Sequence, residues 1–338
     1  MADLLVLTNN PNSASFLYRM EPYLPILEAN GIHCNVDVFP AKPSARRRLF
    51  RYASSFDGVF LHRKTLSWHD ARLLRRHAKT ILYDFDDAIM VKGGWSLGLG
   101  LKRSLRFRRT VKAADLVIAG NGYLAGRAKP LNPRTVVLPT GVDIRMYQGP
   151  PLARTDGLIR LVWIGSKSTL PYLEEIRPAL EQIGRRFPKV HLRIICDRFF
   201  HLEHMLVETC LWSKVGHVGD LLGSDIGLAP LPDNAFARGK CGFKILQYSA
   251  CGLPVVASPV GVNADYVKMD VTGLHAAGIT EWVHQIGVLI ENRSLREQMG
   301  QAARNFVQRF DKEAIGRQLI DLIKTALQEG RGSDEITR

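Results

Sequence analysis

Short apolar runs recur at intervals along the chain, each ending in a polar or glycine-bearing loop and most followed by a stretch with helical spacing. In the first half they are DLLVLTN (Asp3 to Asn9), HCNVDVF (His33 to Phe39), DGVFLHR (Asp57 to Arg63), TILYDFDD (Thr80 to Asp87), ADLVIAGN (Ala114 to Asn121) and TVVLPTGVD (Thr135 to Asp143). After the first, Ser15 to Asn30 carries Phe16, Met20, Tyr23, Leu24 and Leu27 at helical spacing and closes at Gly31. Parallel strands are covered on both faces, so they read as apolar runs, and their crossovers need helices. The pattern predicts a doubly wound parallel sheet.

It then starts again. IRLVWIGS (Ile159 to Ser166), VHLRIICD (Val190 to Asp197), DIGLAPL (Asp225 to Leu231), PVVAS (Pro254 to Ser258) and GLHAA (Gly273 to Ala277) are the second set of strands. Helices are expected over Tyr172 to Phe187, Gly242 to Cys251, Leu295 to Phe310 and Lys312 to Leu327. A chain of 338 residues exceeds one ordinary core, and QGPPLARTDG (Gln148 to Gly157) has the Pro/Gly content of a linker. Two Rossmann-like domains are expected, over residues 1–150 and 151–330, facing a central cleft. Ligands of such sheets lie beyond the carboxyl ends of the strands.

Composition narrows the class. No run of about twenty apolar residues occurs, and the N-terminus has no basic segment or small-residue cleavage site, so a soluble cytoplasmic protein is expected. The five cysteines are widely spaced with no paired CxxC, which argues against a disulfide framework or a zinc site. Of the net charge of +14, residues 1–150 carry +12 from 23 Lys and Arg against 11 Asp and Glu. Two basic stretches dominate, Arg46 to Arg48 and Lys102 to Lys112, accompanied by Leu49, Phe50, Leu101, Leu105 and Val111. This suggests an anionic partner, with a bilayer preferred over nucleic acid because no aromatic interleaving or nucleic-acid module accompanies the charge. The solvated face is the competing reading.

The densest chemistry lies in ARGKCGFKILQYSACGLPVVASPVG, from Ala237 to Gly261. Gly239 and Gly242 allow close backbone approach, and a helix start attracts anions. Lys240 and Lys244 are four apart, so a helix beginning near Lys240 would put both on one face to flank a diphosphate. An ordinary loop with a glycine helix stop explains the same residues equally well.

YSACGLPVVASPVGVNADYVKMDVTGL resembles the donor-site signature of retaining GT-B glycosyltransferases, specifically family 4. RLVWIGS, SDIGLAPLP and VLPTGVD are similar to other segments of that family. The resemblance implies the GT-B fold and transfer of a hexose-type sugar, with retention, from a nucleoside diphosphate sugar to a glycan or lipid-linked acceptor in cell-surface glycan synthesis. It implies no cofactor and no metal. The first domain would take the acceptor and the second the nucleotide sugar. The family's paired glutamates fall here on Gly239 and Gln247, and its Arg and Lys after the glycine turn on Gly165, Ser166 and Lys167. Donor contacts are therefore expected from Gly165, Ser166, Lys167, Asp197, Arg238, Gly239, Cys241, Gly242, Phe243 and Gln247, the last on the ribose, with Lys240 and Lys244 on the diphosphate.

In YDFDDAI, Asp84 and Asp86 share a strand face, and Asp86 is the candidate to hold an acceptor hydroxyl or support the reacting centre; a helix cap with salt bridges is the alternative. Asn10, Ser13, Arg19, His62, Arg63 and Asp84 are acceptor-side candidates, each with a structural alternative in turns, caps or strand ends. Trp212 is expected to pack rather than stack on a base. Two rival functions stay open: a non-hydrolysing sugar-nucleotide epimerase, and a silent nucleotide-sugar-binding partner of another transferase, which the missing glutamate pair suggests.

Overall fold

The computed structural model describes residues 1–91, 100–149 and 155–335. The chain divides into two compact units, Met1–Gly141 with Arg238–Cys241 and Lys312–Arg338, and Val142–Ala237 with Gly242–Asp311.

In the first unit, β1 (Ala2–Thr8), β2 (Ile32–Val38), β3 (Gly58–His62), β4 (Ile81–Phe85), β5 (Leu116–Ala119) and β6 (Thr135–Val137) form a sheet of order β2-β1-β3-β4-β5-β6. All neighbours pair in parallel. Every residue of β3, β4 and β5 is buried, which is why these strands read as unbroken apolar runs. In the second unit, β7 (Ile159–Ile164), β8 (Val190–Cys196), β9 (Val207–Leu211), β10 (Ile226–Ala229), β11 (Val255–Ala257) and β12 (Gly273–His275) form a parallel sheet of order β12-β11-β10-β7-β8-β9. Both sheets are doubly wound, as the alternation predicts. β9 has no apolar run to announce it, since VETCL is a half-exposed edge strand.

Three expectations change. Ser15 to Asn30 is two helices, Ala14–Arg19 and Leu24–Ala29, joined by a single turn, because Pro22 and Pro25 remove backbone donors there. The expected boundary at 150/151 and part of the linker lie outside the described residues, and the second unit begins already at Val142. The third concerns the last helix, Lys312–Glu335, expected in the second domain. It packs in the first unit, where Ile315, Leu319, Ile323 and Leu327 join the core of Leu4, Val6 and Phe60. Burial of apolar surface at about 25 cal/mol per Å² decides that placement over proximity in sequence.

Among the described residues no helix is long and apolar enough to cross a membrane. The basic stretch 100–113 is one helix with Leu101 and Leu105 exposed at 78% and 42%. Phe50 and Val111, expected to accompany the charge on the surface, are instead fully buried core residues.

Candidate functional site

Topology fixes where each sheet can hold a ligand. Successive strands are added on opposite sides of β1 and β3 in the first sheet, and of β7 and β10 in the second, and where the order reverses the crossovers diverge and leave a crevice at the carboxyl ends.

At the first crevice β3 ends in His62 and continues to Arg63, which has φ 56. β4 supplies Asp84 and the following turn supplies Asp86 and Asp87, while helix Ala14–Arg19 supplies Ser15 and Arg19. Arg19 Nη2 and Nε meet the Asp84 carboxylate at 2.7 and 2.9 Å, and Arg19 Nη1 donates to Leu138 O at 3.1 Å. His62 Nδ1 lies 3.1 Å from Asp84 Oδ2, and its Nε2 lies 3.2 Å from Ser15 Oγ. Ser15 in turn donates to Asp86 Oδ2 at 2.7 Å. Arg63 Nη2 donates to Asp87 Oδ2 at 2.7 Å. Its Nε lies 3.2 Å from Asp86 Oδ1 but off the line a hydrogen bond needs, so that buried oxygen has no hydrogen-bond donor. Burial would raise the Asp86 carboxyl; Arg63, Arg19, His62 and the Ser15 hydroxyl outweigh it and hold the group below its ordinary value. Asp86 is therefore ionised at neutral pH.

The segment Arg238–Cys241 belongs to this unit. Lys240 Nζ pairs with Asp87 Oδ1 at 3.0 Å, and Asn121 donates to Lys240 O at 2.9 Å. Gly239 packs on Ala88, and Cys241 Sγ donates to Asp86 O at 3.0 Å. Burial pushes that thiol far above its ordinary range, so it is a neutral donor. Arg238 is exposed on a single turn, Ala237–Gly239. Asn10 and Ser13 make a turn and a helix cap: Asn10 Oδ1 accepts from Asn12 N at 2.9 Å, and Ser13 caps helix Ala14–Arg19.

At the second crevice β7 runs into Gly165, Ser166 and Lys167. A side chain on Gly165 would collide with the Trp163 ring, so the turn passes close over that indole. Lys167 N donates to Asp197 Oδ1 at 3.0 Å; the Cys196 thiol and that amide hold the Asp197 carboxyl below its ordinary value. Tyr248 ties β7 to β10 across the reversal, accepting from Ile164 N at 3.0 Å and donating to Leu228 O at 3.2 Å. Its helix, Phe243–Cys251, starts after Gly242, whose φ of 62 is left-handed. Lys244, in the first turn, sits with Nζ 4.3 Å from the Trp163 ring centre. Because the helix begins at Phe243, Lys240 lies outside it, and the expected shared face of Lys240 and Lys244 does not form.

Gln247 is 3% exposed, and its Nε2 donates to Tyr147 Oη at 2.9 Å. Tyr147 Oη meets His217 Nε2 at 3.0 Å, and His217 Nδ1 meets Ser213 O at 2.8 Å. Trp212, 37% exposed, stacks on the His217 ring. The sequence reading missed Ser15, Asn121, Tyr147 and His217. Each is an ordinary residue with a partner 47 to 120 positions away, apart from two local contacts, His217 with Ser213 O and Asn121 capping its own helix at Leu124 N. Among the described residues no group of three or more His, Cys, Asp or Glu is arranged to hold a metal ion.

Residues 235–306 match the sequence profile of the family described as Glycosyl transferases group 1. No curated protein matches the chain in sequence. Solved structures show the fold. A sucrose-phosphate synthase of Thermosynechococcus elongatus is similar with TM-score 0.76 at 14% identity, covering 96% of this chain and 99% of its own. HepE of Anabaena, solved in complex with UDP, has TM-score 0.70 at 18% identity, covering 96% and 100%. A glycosyltransferase of Rickettsia africae has TM-score 0.71 at 13% identity, covering 96% and 98%. The chain has the GT-B fold, with two Rossmann-like domains.

Proposed function

We propose that the chain is a retaining glycosyltransferase of the family 4 type, moving a hexose-type sugar from a nucleoside diphosphate sugar to a glycan or lipid-linked acceptor. One observation carries the reading: the stretch that matches the glycosyltransferase profile holds the helix start and Lys244 that border the crevice of the second unit. Support comes from HepE, which has been solved with UDP, with UDP and glucose, and with UDP-glucose.

In this reading the diphosphate rests on the turn Gly165 to Lys167 and on the positive end of helix Phe243–Cys251, with Lys244 neutralising it. Fixed donors aimed at the leaving oxygen stabilise the charge that grows as the glycosidic bond breaks. The acceptor oxygen bonds to the sugar carbon on the face the diphosphate leaves, and its proton passes to the departing phosphate oxygen. The acceptor belongs to the first unit, where the Asp86 carboxylate, held by Arg63 and Ser15, supports the reacting centre. No metal is required. The exposed basic helix, with Leu101 and Leu105, brings this unit to an anionic bilayer at the inner face of the membrane, where a cell-surface glycan precursor is presented.

A panel of nucleoside diphosphates and their sugars, read by thermal shift, tests the donor half, because a ligand of the folded state raises the midpoint according to its affinity. No shift with any of them would overturn the reading. Tight binding without transfer to any acceptor would mark a silent binding partner, and turnover of the sugar nucleotide without an acceptor would mark an epimerase.

A further inference from the structure

The first crevice has a second cationic group beside it that neither the donor chemistry nor the Asp86 network uses. Lys64 follows Arg63, and its ammonium lies 4.4 Å from the centre of the Phe39 ring. Phe39 follows β2, and its N–H donates to Thr8 O at the end of β1. Since β1 lies between β2 and β3, the Lys64 side chain spans the carboxyl end of β1, at the mouth of the crevice.

Two further cations converge there. Leu66 N donates to Thr110 Oγ1 at 2.7 Å, which lays the segment after β3 along helix Gly100–Ala113 one turn from Arg106. Arg46, from helix Pro43–Tyr52, has its guanidinium carbon 6.0 Å from the Phe39 ring centre. Among the described residues the carboxylate that acts on Lys64 is Asp70, which accepts from Arg46 Nε at 2.9 Å and from the Ser67 hydroxyl at 2.6 Å. Among the described residues Lys64 and Arg106 make no side-chain hydrogen bond and no ion pair. Burial, then the charges of Arg46 and Arg106, lower the Lys64 ammonium below its ordinary value against the pull of Asp70. A half-buried cation facing other cations is a group waiting for an anion.

We infer that Lys64 and Arg106, backed by Arg46, bind a phosphate group carried by the acceptor. The charge count selects the class. Three cations against one carboxylate leave an excess of two, which a phosphate monoester at about −1.5 to −2 matches and a carboxylate does not. The inference rests on the proposed function only in calling the bearer the acceptor; the anion site stands on its own residues.

The probe is inorganic phosphate. The full-length protein, with its lysines reductively dimethylated with labelled methyl groups, is titrated while the Lys64 resonance is followed. Lys64→Gln supplies the assignment. A saturable shift is expected with phosphate and not with equal ionic strength of chloride, weakened at least tenfold in Arg106→Gln. Lys64→Arg, followed by calorimetry, should retain the affinity that Lys64→Gln loses. Phosphate that leaves the Lys64 resonance unmoved, or affinity unchanged in both Gln variants, overturns the site. A hexose 6-phosphate and vesicles containing phosphatidic acid then separate a soluble bearer from a lipid one: competition by either identifies it, and competition by neither confines the site to free phosphate and overturns the acceptor assignment. Nucleoside diphosphate binding, measured on the same samples, reports the donor reading separately.

Discussion

At the carboxyl end of β3, His62 and Arg63 stand among Asp84, Asp86 and Asp87, and every one of those carboxylates is already met by a cation or hydroxyl of the same unit. At the equivalent end of β7 the chain offers Gly165, Ser166 and Lys167, tied through backbone N–H groups to Thr169 and Asp197, with Lys244 over the Trp163 ring. The first crevice is held by charge and the second by backbone geometry. A buried ion pair tolerates poorly the loss of one member, whereas a glycine turn tolerates poorly any added atom. The two should respond differently to the same kind of substitution.

The largest effect belongs to Asp84. Its side chain is 3% exposed and serves both Arg19 and His62. Asp84→Asn leaves the Arg19 charge buried without its partner, which should cost about 3–5 kcal/mol in chemical denaturation. Replacing both members, Arg19→Met with Asp84→Leu, should cost much less than Asp84→Asn, because the desolvation penalty goes with the charges. A double variant as unstable as the single one would mean that shape, not charge, holds the first crevice.

That contrast also explains what could be read in advance. Both sheets apart from the edge strand β9 were legible because buried parallel strands must be apolar, and the second crevice because Gly165, Gly242 and Gly252 mark backbone constraints within a few residues of the strands and helix they serve. The first crevice was legible only as a set of residue types. Nothing local says that Ser15 bridges His62 and Asp86, or that Lys240 sits on Asp87, 153 positions away. The same holds for helix Lys312–Glu335, whose apolar face fits either sheet until packing decides.

The next test separates Lys240 from Lys244. Lys244→Ala should lower nucleoside diphosphate affinity by about ten- to a hundredfold, the worth of a charge-assisted contact at about 1.5–3 kcal/mol, and leave nucleoside affinity unchanged. Lys240→Ala should do less, because its ammonium pairs with Asp87, which Arg63 also holds. Calorimetry with both ligands checks this. Equal losses in the two variants would show that Lys240 leaves Asp87 for the ligand, and the division between the crevices would fail.

The two units should also part company with pH. Burial holds the His217 ring below its ordinary value, so the unfolded chain binds a proton that the folded one refuses. Stability from this group is complete above about pH 6.5 and falls as the pH drops below it, by at most about 1.4 kcal/mol per pH unit. Asp86 has the same sign in a different window: its depressed carboxyl costs stability only as the pH falls below the carboxylate range. Amide exchange between pH 7.5 and 5.5 should therefore loosen the second unit first, and His217→Gln should flatten that response. Equal loosening of both units would sink the assignment.

The smallest effect falls on Gln247, where the family resemblance and the geometry point to different partners. The resemblance puts its side chain on a ribose. In the structure it is buried and donates to Tyr147, which continues to His217 and the Ser213 carbonyl. Ser213 O can only accept, so His217 Nδ1 carries the proton, Tyr147 donates to Nε2, and the amide of Gln247 completes the chain. Gln247→Met, close in volume, should then cost about 0.5–1.5 kcal/mol of stability, the worth of one neutral hydrogen bond. Nucleoside diphosphate affinity should move by less than about twofold, because the lost bond lies inside the unit. Denaturation and calorimetry on the same variant decide between the partners. Unchanged stability with a tenfold loss of affinity would return Gln247 to the ribose and make Tyr147 a resting partner that the ligand displaces.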